Sequence, residues 1–284
     1  AYGSTKRPPD SIMQRLDVLL FDIQDVGLRY YTYLSSMHYL MEACAANGKR
    51  LIVLDRPNPN GFYVDGPVLE AKHRSFVGMH PIPVVHGMTL GELARMIDGE
   101  GWLRDGLRCK LTVIPCRGYT HRSRYRLPTA PSPNLPNMRA VYLYPSLCFF
   151  EGTPISLGRG TDFPFQAYGH PELQGDFSFT PRSNAGAKNP PLKDKLCHGV
   201  DLRTSPSDER IWERGVDLGY VIDCYRQLNL GEKFFTPMFD RLTGTDYVRQ
   251  MILQGAGADR IKARWADDVE RFKQTRKPYL LYEE

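Results

Sequence analysis

The sequence predicts an α/β protein with a partly parallel sheet. Three segments near its start carry this prediction: an apolar strand at residues 16–23, a helix at residues 30–46 and a second apolar strand at residues 51–54. A strand, a helix and a strand in this order form a βαβ unit, whose two strands pair in parallel. The 284 residues are 42% hydrophobic and 24% charged, which is typical of a globular protein with one or two domains.

The helix and the two strands each have their own signal. Apolar residues recur along the helix at spacings of three, four and one, and Asn47 and Gly48 follow as a C-terminal cap. The first strand contains the apolar run at residues 18–21 and the second is the apolar run at residues 51–54, which predicts that both are fully buried.

The elements from residue 89 to residue 137 are predicted from a helix cap, an apolar run and composition. Thr89 begins a short helix at residues 90–97, and Glu92 completes a capping box, which competes with any catalytic role for Glu92. Residues 111–114 form a third strand. Residues 115–137 are rich in Pro, Arg and Tyr, and we interpret them as a long loop of the kind that often carries function.

The chain changes character at about residue 137. We therefore predict two subdomains, residues 1–136 and residues 137–284, the second of which is mixed α/β. Its predicted strands lie at residues 176–180 and 200–203, and its predicted helices at residues 208–228, 246–253 and 258–273.

Polar side chains follow both strands of the βαβ unit. Asp22, Gln24, Asp25 and Arg29 come after the first strand, and the second ends in Asp55-Arg56-Pro57-Asn58. In open α/β sheets the carboxyl ends of strands line the ligand crevice, so these residues indicate a site. The structural alternative is that Asp25 caps the next helix and that Arg29 pairs with Asp22.

Several classes of function lack support. The 37 basic residues exceed the 32 acidic ones only slightly. We interpret the basic cluster at residues 117–126 as a solvated loop rather than as a site for nucleic acid or another anion. No C-x-x-C pair, dinucleotide fingerprint, P-loop or G-x-S-x-G motif is present. Most histidines are interpreted as structural, with His86 as the best exception. We predict no metal, no cofactor, no membrane span and no nucleic-acid partner.

Carboxylates, amides and tyrosines remain as the candidate chemistry, and together they suit a carbohydrate. Amides and acids bond sugar hydroxyls, and glycoside hydrolysis needs one or two positioned carboxyl groups. An arginine beside them would hold an acidic group of the substrate.

Seven motifs, taken together and in order along nearly the whole chain, make the sequence resemble one family, the exo-β-N-acetylmuramidase (NamZ-like) family of bacterial peptidoglycan hydrolases. The motifs are FDIQDVGLRYYTY (21–33), LDRPNPNG (54–61), DGP (65–67), PIPVVHGMTLGELA (81–94), PSPNLP (131–136), YPSLCFFEGTPISLGRGTDFPF (144–165) and TRKPYLLY (275–282).

The resemblance implies a Rossmann-like first subdomain joined to a second α/β subdomain, with the active site between them. It implies release of terminal N-acetylmuramic acid from the non-reducing ends of peptidoglycan fragments, outside the cytoplasm. The lactyl carboxylate of that sugar would be a partner for an arginine. The expected supporting acids are Asp22, Asp25 and Glu151, and the expected substrate-binding residues are Gln24, Arg29, Arg56, Asn58, His86, Asn134, Arg159 and Thr161.

The chain departs from the family pattern in three places. The family's Pro-Glu-His-Gly motif, which carries its proposed catalytic glutamate, has no counterpart here, so we expect a segment upstream of Ala1 and a first sheet with an exposed edge. Leu157 replaces an acid, and residues 168–171 replace a smaller pattern. The alternative function is a non-catalytic binding protein for muropeptides or other anionic sugars.

Overall fold

The computed structural model describes residues 6–284, and it is an α/β protein, as predicted. It contains a three-stranded parallel sheet and a separate three-stranded antiparallel sheet. The chain divides into two compact units. Unit 1 comprises the described residues up to Val64, together with residues 74–125 and 270–284. Unit 2 comprises residues 65–73 and 126–269.

Unit 1 is built on the parallel sheet. Its strands are β1 (Val18–Phe21), β2 (Arg50–Leu54) and β3 (Lys110–Ile114), in the order β1-β2-β3. Leu19 pairs with Leu51 in the first ladder, which confirms the parallel βαβ unit. The helices α1 (Asp10–Met13), α2 (Tyr33–Ala46) and α3 (Leu90–Gly99) contribute to a single apolar core.

The prediction of two fully buried strands was wrong. β1 is a four-residue strand in which Val18 is 43% and Leu20 62% exposed, and in β2 only Leu51 and Val53 are buried. Among the described strands β1 pairs only with β2, so it lies at the edge of the sheet and buries only part of its apolar surface. The exposed edge agrees with the expectation from the sequence.

The helix of the βαβ unit, α2, begins later than predicted. α2 starts at Tyr33, three residues after the predicted start at Tyr30. The intervening backbone is held elsewhere, because Arg29 N donates to Val84 O over 2.9 Å and Leu28 forms a bridge with Val85. These bonds hold the residues after β1 in a loop, and α2 begins only after that loop.

Unit 2 contains the antiparallel sheet. Its strands are β4 (Ala167–His170), β5 (Phe177–Phe179) and β6 (Cys197–Asp201), in the order β4-β6-β5. The predicted helix at residues 208–228 is two helices, because Gly215, with φ 64°, ends the first of them. The remaining α-helices of residues 6–284 are α4 (Met138–Leu147), α5 (Asp208–Arg214), α6 (Gly219–Leu228), α7 (Pro237–Thr243), α8 (Tyr247–Leu253) and α9 (Ala258–Arg276). None of the described helices is both long and apolar enough to cross a membrane.

The DGP motif supplies the main polar anchor of unit 2. Asp65 is 8% exposed, and its Oδ1 accepts a hydrogen bond of 2.9 Å from Trp265 Nε1. Its Oδ2 accepts from Val216 N at 2.9 Å and from Lys262 Nζ at 2.7 Å. One buried carboxylate therefore joins three segments that are far apart in the sequence.

Candidate functional site

The predicted site residues divide between the two units. Those of unit 1 are Asp22, Gln24, Asp25, Arg29, Arg56, Asn58 and His86, and those of unit 2 are Asn134, Glu151, Arg159 and Thr161.

The carboxyl ends of β1 and β2 lie side by side in unit 1. The parallel register pairs Phe21 with Val53, so the loops that follow these residues leave the sheet at the same edge. The side-chain amide of Gln24 donates to Asp25 O at 2.8 Å and to Pro57 O at 2.9 Å, which ties the two loops together. The structure thus brings the predicted residues of both loops to one edge of the sheet.

Asp22 and Arg56 form the exposed part of this edge. Arg56 Nε donates to Asp22 Oδ1 over 2.6 Å. The Asp22 side chain is 46% exposed and the Arg56 side chain is 44% exposed. This hydrogen bond raises the pKa of the Arg56 guanidinium. The alternative that Arg29 pairs with Asp22 was therefore wrong, since Asp22 pairs with an arginine from the neighbouring loop.

Asp25 is a buried carboxyl group next to this pair in the sequence. Its Oδ1 accepts a bond of 2.7 Å from Gly27 N, whereas its buried Oδ2 has no hydrogen-bond partner among the described residues. Burial raises the pKa of Asp25 to about 7, so the group retains much of its proton near neutral pH. The N-cap position of α2 is Thr32, so the interpretation of Asp25 as its cap was wrong.

Arg29 and His86 are also fully buried in unit 1. Arg29 Nη1 donates to Ile82 O over 2.8 Å. Burial lowers the pKa of His86 to about 3, so its ring is neutral, and Nδ1 accepts from Met88 N at 3.1 Å. In this conformation both residues support the loop that precedes α3.

Asn58 connects the loops from its buried position. Its Nδ2 donates to Met88 O at 2.8 Å, and its Oδ1 accepts from Asn60 N at 2.8 Å. Gly27, with φ 83°, lies so close that an added Cβ would fall 2.1 Å from Asn58 Oδ1. The close approach explains the glycine of the FDIQDVG motif on steric and conformational grounds.

The four predicted residues of unit 2 have partners within that unit. Arg159 Nη2 donates to Glu151 Oε1, and the guanidinium lies 5.0 Å from the centre of the Phe165 ring. The Arg159 and Glu151 side chains are 28% and 31% exposed. Thr161 Oγ1 donates to Gly158 O at 2.6 Å, and Asn134 Nδ2 donates to Gly186 O at 3.0 Å.

Asp55 belongs to the same edge of the sheet, although it was not among the expected supporting acids or substrate-binding residues. Its Oδ2 accepts from Thr89 Oγ1 and from the Tyr282 hydroxyl, both at 2.6 Å, and its Oδ1 accepts from Gly91 N at 2.8 Å. Burial raises its pKa. Asp55 therefore holds the start of α3, and its place in LDRPNPNG was the available signal.

The capping box predicted from Thr89 and Glu92 is present at the start of α3. Glu92 is fully buried, and its carboxylate accepts from Thr89 N at 2.9 Å and from Leu281 N at 2.8 Å. His121 Nε2 lies 3.0 Å from its Oε1. All of these contacts of the Glu92 carboxylate are with other groups of the protein.

One group of possible metal ligands occurs in unit 2, within the part of the chain that the structure describes. One ligand atom each from Glu70, His73 and Asp246 lie within 4.8 Å of one another. The Lys72 ammonium lies 3.2 Å from Glu70 Oε2 and 2.8 Å from Asp246 Oδ2. Lys72 thereby supplies the positive charge that these carboxylates need.

Comparisons with known proteins agree along both halves of the chain. Residues 1–139 match the family described as "Exo-beta-N-acetylmuramidase NamZ, N-terminal", and residues 142–282 match its C-terminal counterpart. The peptidoglycan beta-N-acetylmuramidase NamZ of Bacillus subtilis (strain 168) is 37% identical over 306 residues, which cover 99% of this chain and 71% of that protein.

Two crystal structures of DUF1343 family proteins from Bacteroides fragilis NCTC 9343 have the same fold. One is 61% identical with a TM-score of 0.96, and the other is 27% identical with a TM-score of 0.81. Each match covers 99% of this chain and 79% of the other. The α/β fold and these matches place the chain among the muramidase-like glycosidases. It belongs to the NamZ family.

Proposed function

We propose that this protein is an exo-acting glycosidase that releases terminal N-acetylmuramic acid from the non-reducing ends of peptidoglycan fragments. The observation that carries the proposal is membership of the NamZ family through both halves of the chain. The Bacillus subtilis relative is a peptidoglycan β-N-acetylmuramidase by name, and it aligns with 99% of this chain.

Arg56 is our candidate for binding the lactyl carboxylate of the sugar. The resemblance to the family offered Arg29, Arg56 and Arg159 as partners for this carboxylate, and Arg29 is fully buried in this conformation. Arg56 is 44% exposed and contacts Asp22 through Nε, so the Nη edge of its planar fork remains for a ligand. Arg159 pairs with Glu151 through Nη2, and its Nε is buried, which leaves less of its fork for a substrate.

The acids have different proposed roles. Asp22 is exposed beside Arg56, so its carboxylate oxygens would accept hydrogen bonds from sugar hydroxyls. Asp25 is buried in the loop after β1, and its raised pKa keeps much of its proton near neutral pH, so it would support the loop as a neutral group. Glu151 would orient Arg159.

A pair of matched disaccharides tests the reaction. One carries N-acetylmuramic acid at its non-reducing end, and the other carries N-acetylglucosamine there with the same β-1,4 linkage. We expect the protein to release monosaccharide only from the first, as measured by chromatography and mass spectrometry. Release from neither disaccharide, with binding of the first in a calorimetric titration, would support the alternative of a non-catalytic binding protein.

We also propose that the protein acts outside the cytoplasm, because the polymer from which its substrate derives lies there. Fractionation of the native cells with marker enzymes for each compartment tests this location. A pool confined to the cytoplasm would contradict it.

A further inference from the structure

A basic cavity of about 540 Å³ lies within unit 1. Four cationic side chains and only one carboxylate contribute to its lining, and none of the predicted site residues does. The charged residues of this basic cavity are Arg122, Arg124, Lys273, Arg276 and Glu284.

Arg276 is the buried member of the lining, with 5% of its surface exposed. Its Nη1 donates to Gly87 O at 2.6 Å and to His86 O at 3.2 Å, and its Nη2 donates to Glu284. The buried Nε has no hydrogen-bond partner among the described residues. Arg276 therefore places a fixed positive charge in the lining of the cavity, held by backbone carbonyl groups and only one carboxylate.

Arg124 is held in place by an aromatic ring. Its guanidinium carbon lies 3.6 Å from the centre of the Phe62 ring, and its Nη1 donates to Arg122 O over 3.2 Å. Stacking of this kind restricts the orientation of the guanidinium plane before any ligand arrives. Arg124 is therefore held in place although its side chain is exposed.

The charge and size of the cavity define its ligand. Lys273 is also fixed, because its ammonium lies 2.7 Å from Glu270 Oε1. The four cations face one carboxylate in the lining, Glu284, and a second beside it, Glu270, so the cationic excess is about two, which favours a ligand with more than one negative charge. The volume lies within the range of roughly 300–1,000 Å³ that is typical of small-molecule sites.

We propose that the basic cavity binds a small dianion of up to the size of one sugar, a phosphate monoester or a dicarboxylate. Arginine forks bind the oxygens of either group in pairs, and the rings of Phe62 and Tyr63 add apolar surface for the body of the ligand. This site is separate from the proposed glycosidase reaction, and neither proposal depends on the other.

Calorimetric titration of the full chain tests the site with glucose 6-phosphate, malonate and neutral glucose. We expect at least one dianion to bind and glucose not to bind. Arg124→Gln and Lys273→Gln should each weaken the binding about tenfold or more, since each removes a charge-assisted contact. The matched control is Arg117→Gln, which removes an exposed arginine of the same loop outside the cavity and should change the affinity less than about twofold.

Binding of glucose 6-phosphate alone would identify a phosphate ligand, and binding of malonate alone a carboxylate ligand; either result supports the site. Equal weakening by Arg117→Gln would overturn it, because the attraction would then be a general effect of net charge. Failure of both dianions to bind at about 10 mM would also overturn it, since this limit corresponds to a negligible affinity.

Discussion

Arg56 Nε lies 2.6 Å from Asp22 Oδ1, and this ion pair joins the loops that follow two adjacent parallel strands. Both side chains are close to half exposed. Exposed pairs of this kind contribute only about 0–1 kcal/mol to stability, so stability alone does not account for two charges at this edge. We propose ligand binding by Arg56 as the reason for this position, and the first prediction tests it.

The first prediction concerns Arg56→Lys. Lysine keeps the charge but loses the planar fork, so binding of a ligand with terminal N-acetylmuramic acid should weaken by about 1.5–3 kcal/mol. The melting temperature should hardly change, because the pair is exposed. Calorimetric titration and thermal unfolding measure the two effects.

Arg50→Lys is the matched control for this variant. Arg50 is an exposed arginine at the opposite end of β2, so its substitution should leave the ligand affinity unchanged. If the Arg56→Lys variant binds the sugar as tightly as the parent does, Arg56 is not the carboxylate-binding residue.

The second prediction concerns Asp25 and pH. The unfolded chain releases the Asp25 proton near pH 3.8, whereas the folded chain retains it until about pH 7 because the group is buried. Between these values the unfolded state binds fewer protons, so Asp25 lowers the free energy of unfolding as the pH rises. The decrease in the free energy of unfolding is complete at pH values above the pKa of Asp25 in the folded state.

Asp25→Asn removes the titration and keeps an acceptor for Gly27 N. Relative to the parent, the variant should gain on the order of 1–3 kcal/mol in free energy of unfolding between pH 5 and pH 8. Urea unfolding at both pH values, with both proteins, measures this gain. A difference between the proteins that is the same at pH 5 and pH 8 would show that Asp25 does not titrate in this range.

The third prediction concerns Gly27→Ala. The residue has φ 83°, and the added Cβ would lie 2.1 Å from Asn58 Oδ1, so the substitution should destabilise the protein by about 2–4 kcal/mol. Gly48→Ala is the control, because Gly48 also has a positive φ, 66°, but an added Cβ would have no atom within 4 Å. That variant should lose only about 1–2 kcal/mol. Equal losses, measured by denaturant unfolding, would exclude the steric effect.

The fourth prediction concerns Asp65→Ala. The change leaves Trp265 Nε1, Val216 N and the Lys262 ammonium without their shared carboxylate, so we expect a loss of about 3–5 kcal/mol. Asp267→Ala is the comparison, since Asp267 is an exposed acid on α9 and should change stability by less than about 0.5 kcal/mol. Comparable unfolding midpoints for the two variants would contradict the role of Asp65 as an anchor.

The sequence predicted the parallel half of the fold because its signals are local. Apolar runs, the 3.6-residue period of α2 and the capping box of Thr89 and Glu92 each depend on neighbouring residues. α4 was missed because nearly all of its residues are buried and it contains Pro145, so no polar face marks its period. The break at Gly215 was missed because the flanking segments are both amphipathic.

The site was predicted less completely for a related reason. The positions after β1 and β2 could be identified, because polar residues at strand ends are visible in the sequence. Their partners could not, since the Asp22 contact to Arg56 spans 34 positions and the Asp55 contact to Tyr282 spans 227. Burial of Arg29 and His86 likewise depends on how distant segments pack, so it was available only from the structure.

The size of the products from a long glycan tests the central claim most directly. A peptidoglycan glycan chain that ends in N-acetylmuramic acid at its non-reducing end, with its reducing end labelled, is incubated with the protein and analysed by mass spectrometry. The account predicts free N-acetylmuramic acid and a labelled chain shorter by one sugar. Labelled fragments of many lengths, which an endo-acting enzyme would produce by cutting at internal linkages, would contradict it.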